Sequence, residues 1–133
     1  MSRVAVGTKV LVHLHDLRDP GKRQRADELL PLRPVISARV LSEFLNVLKR
    51  VTRLPKAQVL ADTIQLFGPC EIAPVTHGTL AFSARLLARY DFPLFDAIIV
   101  AAALEADCDV LYSAAFQHNQ LIEGRLRMVN PFR

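Results

Sequence analysis

FPLFDAIIVAAAL, residues 92–104, is the most apolar stretch of the chain and carries one charge, Asp96. Apolar side chains surround that position at every helical angle, so the stretch predicts a helix that is buried all round. An ionised carboxylate there is costly unless a cation, a basic side chain or helix N-terminal N–H groups compensate it. Pro93 predicts that Asp96 lies in the first helical turn. The carboxylate is therefore either a helix cap or a metal ligand at a strand–helix junction.

Short apolar runs alternate with helical patterns on both sides of this stretch. The predicted strands are residues 4–6, 35–36, 72–75, 110–112 and 128–129. Residues 10–12 either extend the first strand or open a helix. Strands that alternate with helices predict βαβ units and a mainly parallel sheet. A functional site is then expected beyond the carboxyl ends of the strands.

The predicted helices carry capping and spacing signals. Asp19-Pro20 is a start signal for a basic helix over 22–30, and Ser37 is an N-cap for a helix over 38–51. That second helix has an apolar face made of Val40, Leu41, Phe44, Leu48 and Val51. Two further helices are predicted by apolar residues at helical spacing: Leu60, Ile64 and Phe67 before Gly68-Pro69, and Leu80, Ala84, Leu87 and Ala88 within 79–90.

Composition indicates a single globular domain, residues 1–133. No apolar run approaches the roughly 20 residues that a membrane span needs, and the N-terminus lacks the apolar stretch of a secretory signal. We therefore expect a soluble cytoplasmic protein. Lys plus Arg number 17 against 13 Asp plus Glu, a net charge of +4. This excess is compatible with RNA or an acidic peptide as partner, and equally with an ordinary basic surface.

Cysteines and histidines give no strong metal signal. Cys70 and Cys108 match no zinc spacing and are expected to be free, buried thiols in a reducing compartment. His13 and His15 have a strand-like spacing that could bind a metal, but a surface or core role is favoured. His118 is not assigned a catalytic role.

Glu43 lies at the border of the apolar face of the helix over 38–51. A glutamate in that position can reach inward to a site. Taken alone, an ordinary surface ion pair with a neighbour one helical turn away is the favoured interpretation.

Four segments resemble motifs of PIN-domain proteins, and in particular of VapC-like toxins. Residues 36–48, ISARVLSEFLNVL, are similar to the first long motif, whose glutamate, here Glu43, is an active-site acid. Residues 95–103, FDAIIVAAA, are similar to the second, whose aspartate, here Asp96, is catalytic. Residues 111–118, LYSAAFQH, and 129–132, VNPF, resemble the third motif and the usual close of these toxins. The resemblance implies an α/β, PIN-like domain with a central, mainly parallel sheet flanked by helices.

The chain departs from the family pattern at two motifs. The family's first strand ends in Asp-Thr-Asn, and residues 7–9 here are Gly-Thr-Lys. The third motif is Tyr-Ser-Glu-Asp in the family, and residues 112–115 are Tyr-Ser-Ala-Ala. Family carboxylates are therefore missing at degenerate positions Gly7, Ala114 and Ala115. Thr8 and Ser113 remain where the family uses hydroxyls to orient the site.

These losses bear on the Mg²⁺ or Mn²⁺ that the resemblance implies. Such hard cations need several oxygen ligands, and only Glu43 and Asp96 remain. Each lost charge near 4 Å forfeits on the order of a few kcal/mol at an effective dielectric near 20. With Lys9 counted against Glu43 and Asp96, the formal charge changes from about −4 in the family pattern to about −1. Metal binding is expected to be weak or absent. Lys9 either pairs with one of these carboxylates or extends to solvent.

The resemblance leads to two functional hypotheses. The first is a degenerate nuclease that retains binding to RNA or to a small antitoxin and forms a homodimer. The second is an active Mg²⁺- or Mn²⁺-dependent endoribonuclease toxin that uses Glu43 and Asp96 with a nearby acid, Asp16 or Asp91. Basic residues that could contact RNA phosphates, or simply form polar helix faces, are Arg18, Lys22, Arg23, Arg25, Arg39, Lys49 and Arg50.

Overall fold

The computed structural model describes residues 2–15 and 18–133. The described helices are α1 (Thr8–Leu11), α2 (Pro20–Leu29), α3 (Ala38–Thr52), α4 (Lys56–Leu66), α5 (His77–Arg89) and α6 (Leu94–Glu105). The strands are β1 (Val4–Val6), β2 (Ile36–Ser37), β3 (Ile72–Ala73), β4 (Val110–Tyr112), β5 (Leu121–Ile122) and β6 (Leu126–Val129). Two 3-10 turns, Val12–His15 and Leu30–Leu32, follow α1 and α2.

The strands form a four-stranded sheet in the order β1-β4-β6-β5 and a two-stranded sheet of β2 and β3. All neighbouring strands are parallel except β5 and β6. An isolated bridge between Ala5 and Val35 joins β1 to the chain just before β2. The expectation of a central, mainly parallel sheet flanked by helices is confirmed.

Side-chain caps begin three of the helices, because they satisfy N–H groups that have no partner inside a helix. Asp19 accepts from Lys22 N at 3.1 Å at the start of α2. Ser37 accepts from Val40 N at 3.1 Å at the start of α3. Both caps were predicted from the sequence. Thr76 caps α5 in a capping box with Thr79, a signal that the sequence reading had missed.

The core lies where β1, β4 and β6 pack against the helices, and the middle of α6 runs through it. Residues 99–104 of α6 are all buried. The expectation that this helix is buried all round was wrong for its first turn, where Leu94 is 60% exposed and Phe95 51% exposed. That turn projects beyond the sheet at the edge where the strands end.

Other corrections concern short segments. Residues 10–12, left open between strand and helix, lie in α1 and the 3-10 turn that follows it. Strand β5 was not predicted, and β3 ends two residues earlier than expected. Cys70 and Cys108 are free, Cys108 is buried and Cys70 is half-buried. Within the described ranges, no helix has the length and apolar character needed to cross a membrane.

Candidate functional site

The candidate site lies where the parallel strands β1 and β4 end. Gly7 follows β1, and its N–H donates to Tyr112 O at 2.9 Å. Ser113 follows β4, and its N–H donates to Val129 O at 2.9 Å. The carboxyl ends of adjacent parallel strands meet at one sheet edge, which is where sites form in α/β folds.

A cavity of about 60 Å³ opens at this edge. It brings together residues of α1, α3 and α6 and of the segments that follow β1 and β4: Gly7, Thr8, Lys9, Glu43, Asp96, Ile99, Ser113, Ala115 and Phe116. These include every predicted site residue except Ala114, which is exposed and does not line the cavity.

Asp96 enters the cavity from the first turn of α6. The helix N-cap is Pro93, which offers no side-chain cap. Burial raises the pKa of the half-buried Asp96 carboxyl, the charge of Lys9 opposes that shift and the charge of Glu43 adds to it. The environment of Asp96 therefore penalises its charged form, which is typical of a functional position as well as of a structural charge cluster.

Glu43 faces the cavity from the second turn of α3 and also forms an ion pair along its own helix. Its Oε1 lies 2.8 Å from Nε of Arg39, although the N–H does not point along a hydrogen bond. The Arg39 guanidinium lies over the Phe95 ring, with its central carbon 4.0 Å from the ring centroid. Glu43 thus has both features considered from the sequence. The same carboxylate lines the cavity and forms an ion pair with a residue one helical turn earlier.

Lys9 is exposed and lines the same cavity as both carboxylates. It forms no ion pair within 4.0 Å of either carboxylate in the described structure, and its charge still lowers the pKa of Asp96. Lys9 therefore acts on Asp96 through space and without direct contact.

Hydroxyl groups line the floor of the cavity. Ser113 is buried, and its Oγ accepts from Ala115 N at 3.1 Å. Thr8 Oγ1 is buried and has no hydrogen-bond partner in residues 2–15 and 18–133. A buried hydroxyl without a partner costs free energy in a finished structure, so Thr8 is a polar group open to a ligand.

The donor set does not fit a tightly held divalent metal. The described residues contain no group of three or more His, Cys, Asp or Glu side chains placed to hold an ion. Of the two carboxylates at the cavity, Glu43 is already paired with a guanidinium. Mg²⁺ and Mn²⁺ need several oxygen ligands in one place, so we derive no chemical step through a metal.

The other residues considered from the sequence, where the structure describes them, lie outside the cavity. Asp91 is exposed and does not line it, and Asp16 falls outside the described residues. His118 Nδ1 accepts from Asn130 N at 3.1 Å and so supports the last loop. His13 packs edge-on against Phe132, and the ring of His15 contacts Phe44 at a tilt. Both contacts fit the favoured core or surface role.

Sequence reasoning missed two features of the site. Arg39 was considered only as a polar or RNA-contacting residue, and the structure brings it to Glu43 and Phe95. An ion pair of Glu43 with a neighbour one helical turn away was expected, and its spacing from Arg39 fits that expectation. No sequence signal could have indicated the ring contact, because Phe95 belongs to another helix. Phe116, in the loop after β4, also lines the cavity.

A sequence model of the PIN domain matches residues 4–114. Comparison with curated proteins finds no match. Solved structures with a similar fold include a toxin–antitoxin complex from Klebsiella pneumoniae, with TM-score 0.72, 22% identity and 98% of each chain covered. VapC20 of Mycobacterium tuberculosis, described as a toxin that cleaves the sarcin-ricin loop, has TM-score 0.64 and 21% identity over 86% of this chain and 89% of its own. FitAB bound to a DNA fragment has TM-score 0.66 and 16% identity over 98% and 96%.

Proposed function

Because this chain belongs to the PIN domain family, we propose that it is a VapC-like toxin-family protein with weak or lost metal-dependent ribonuclease activity and retained binding to RNA or to an antitoxin. One observation carries the proposal. The cavity holds two carboxylates and each faces a cation of the chain itself, Arg39 at Glu43 and Lys9 at Asp96. The likeness in fold to toxin–antitoxin structures supports the family role.

The electrostatic balance of the cavity argues against catalysis. Glu43 and Asp96 contribute two negative charges, and Lys9 and Arg39 contribute two positive charges, so the formal sum is zero. A divalent cation gains little from a neutral cluster and must also shed water to enter it. Hydrolysis by metal-activated water is therefore expected to be weak.

RNA binding is supported by exposed cations on α2 and α3. Arg23 on α2 and Lys49 and Arg50 on α3 are exposed, and none of them pairs with an acid in the described ranges. Cations that are exposed and unpaired in this way are available to RNA phosphates. Neutralising those phosphates releases counterions from the RNA, which favours binding. Arg25 is less available because it pairs with Glu28 at 2.9 Å and donates to Pro131 O.

Antitoxin binding is supported by an apolar groove of about 440 Å³ that runs along α3. Its lining within the described residues is mainly apolar with a basic rim: Val12, His15, Arg18, Phe44, Val47, Leu48 and Val51. Such a groove fits an amphipathic protein segment with an apolar face and acidic flanks. Because α3 carries both the groove wall and Glu43, a segment bound there lies beside the site.

A cleavage assay with a structured RNA tests the proposal. With Mg²⁺ or Mn²⁺ present, we expect the wild-type protein to cleave no faster than the Asp96→Asn variant. Fluorescence anisotropy in EDTA should still detect RNA binding, with an affinity that falls as salt rises.

The competing hypothesis predicts the opposite result. Robust Mg²⁺- or Mn²⁺-dependent cleavage that Asp96→Asn abolishes would establish an active endoribonuclease and refute the degenerate site. Loss of RNA binding together with loss of cleavage would leave the antitoxin as the retained partner.

A further inference from the structure

We propose that Arg39 is an internal cation that occupies Glu43 and competes directly with any divalent ion for that carboxylate. The inference deepens the proposed function, on which it rests, by naming a residue that keeps the site closed to metal. It concerns a side chain that the family motifs do not single out.

The first support is the burial of the Arg39–Glu43 pair. The two side chains are 31% and 30% exposed, so most of the surface of each is shielded from solvent. Water screens a partly buried pair less than a fully exposed one, so the guanidinium keeps part of its attraction for this carboxylate.

The second support is the ring beneath Arg39. Its guanidinium centre lies 4.0 Å from the centroid of Phe95, closer than Arg85 lies to Phe82 at 5.2 Å. Phe95 immediately precedes Asp96 on α6, so Arg39 spans from α3 to the helix that carries the second carboxylate. Guanidinium groups stack well on aromatic faces, and the ring fixes Arg39 in place beside Glu43.

Ion pairing along α3 does not by itself account for the position of Arg39 beside Glu43. An acidic residue followed by a basic residue one turn later is the favoured order for such pairs, and here the order is reversed. The contact between Arg39 and Phe95, which joins α3 to α6, therefore adds a second constraint on the position of the guanidinium.

Competition follows from the geometry. Glu43 Oε1 lies 2.8 Å from Arg39 Nε. A metal ion that binds this oxygen would therefore have to come close to the guanidinium. A divalent ion and a guanidinium repel each other at such a distance. A metal ion that binds Oε1 of Glu43 therefore requires Arg39 to move away, and one that binds the other carboxylate oxygen must approach against the charge of Arg39.

The test measures Mn²⁺ affinity by calorimetry and by the electron paramagnetic resonance signal of free Mn²⁺. All variants are made in a Gly7→Asp background. This substitution adds one carboxylate ligand, so that the Mn²⁺ affinity becomes strong enough to measure. In that background, Arg39→Met keeps an unbranched side chain against Phe95 but removes the charge. We expect it to tighten Mn²⁺ binding by about tenfold or more.

Arg85→Met is the matched control, since it removes the same charge and also an arginine–phenylalanine contact, outside the cavity. It should change the Mn²⁺ affinity by less than about threefold. In a Glu43→Gln background, Arg39→Met should lose its effect. Circular dichroism and thermal melting establish that each variant is folded.

Two results would overturn the inference: an affinity unchanged by Arg39→Met, including no detectable binding in either protein, or an equal gain from Arg85→Met. Neither result depends on RNA cleavage. Conversely, a wild-type protein that cleaves RNA would refute the proposed function while this comparison could still succeed.

Discussion

At the residue scale, Gly7 is the clearest departure from the family pattern. Its backbone is extended, with φ −92° and ψ 168°, a conformation that any residue adopts. A Cβ built there meets Ser113 Oγ at 3.5 Å, which is ordinary van der Waals contact. The position therefore accepts an aspartate without backbone strain, and Ser113 could donate a hydrogen bond to it.

This space makes restoration of the site testable. The triple change Gly7→Asp, Lys9→Asn and Ala115→Asp adds two carboxylates and removes one ammonium. We expect Mn²⁺ affinity to rise by at least about a hundredfold, because each nearby charge contributes on the order of a few kcal/mol. RNA cleavage should rise with it. Calorimetry and the cleavage assay check the two effects.

The control carries Asn in place of Asp at positions 7 and 115, with Lys9→Asn retained. It supplies similar shapes without the added charges, so its affinity should stay well below that of the restored variant. If the restored protein binds Mn²⁺ no better than this control, the missing carboxylates were not what limited the site.

The motifs predicted which residues would meet at the site, from Gly7 and Asp96 to Ser113, because each follows a strand or begins a helix in a fixed order. They could not predict that Arg39 would lie on Phe95. That contact depends on the distance between two helices, which the local sequence does not encode.

At the scale of the elements, apolar spacing located α4 and α5 but did not identify which of their faces is buried. Leu60, Ile64 and Leu80, whose spacing predicted these two helices, are all exposed. The buried residues include Thr63, Thr79 and Ser83, whose hydroxyls find partners inside the fold. Satisfied hydroxyls can be buried cheaply, so apolar spacing alone does not identify the inner face of these helices.

Thr79 has the most important of these hydroxyls. Its Oγ1 donates to Glu105 at 2.6 Å and accepts from Thr76 N at 3.0 Å, so it links the start of α5 to the end of α6. We expect Thr79→Val to lower the free energy of unfolding by about 1–2 kcal/mol, since it removes half of a capping box and leaves polar groups unpaired. Urea denaturation measures the change.

Thr63→Val is the matched control. Thr63 is also buried, but its hydroxyl bonds only to the carbonyl of Val59 one turn back, a bond that contributes little to helix stability. It should cost clearly less than Thr79→Val. Equal losses in the two variants would show that the link between α5 and α6 has no special role.

At the scale of the whole molecule, one apolar face stands apart from the basic surface. It lies along α4 and β3 and is lined by Leu41, Leu45, Leu60, Thr63, Ile64, Phe67, Gly68, Cys70 and Ile72. None of these residues is charged, in a chain with net charge +4. Two copies can meet through an uncharged face without the repulsion that their basic surfaces would cause. We propose this face for the expected homodimer.

Ile64, which is 64% exposed, is the residue that tests the dimer. We expect size-exclusion chromatography with light scattering to give twice the chain mass for the wild-type protein. Ile64→Glu should shift the protein to monomer, because it would bury an unpaired charge at the interface. Gln65→Glu, one position along α4, should leave the dimer intact. A monomeric wild-type protein, or a dimeric Ile64→Glu variant, would contradict the assignment.

The bridge between Ala5 and Val35 has a consequence for ligands. Gly7 and Ser113 extend from the four-stranded sheet, whereas Glu43 belongs to the helix that starts from the two-stranded sheet. The two halves of the pocket are thus attached to two sheets that are joined at this bridge. A molecule that contacts both halves of the pocket therefore holds the two sheets together at the bridge. We expect it to slow local opening of the chain there, in addition to filling the pocket.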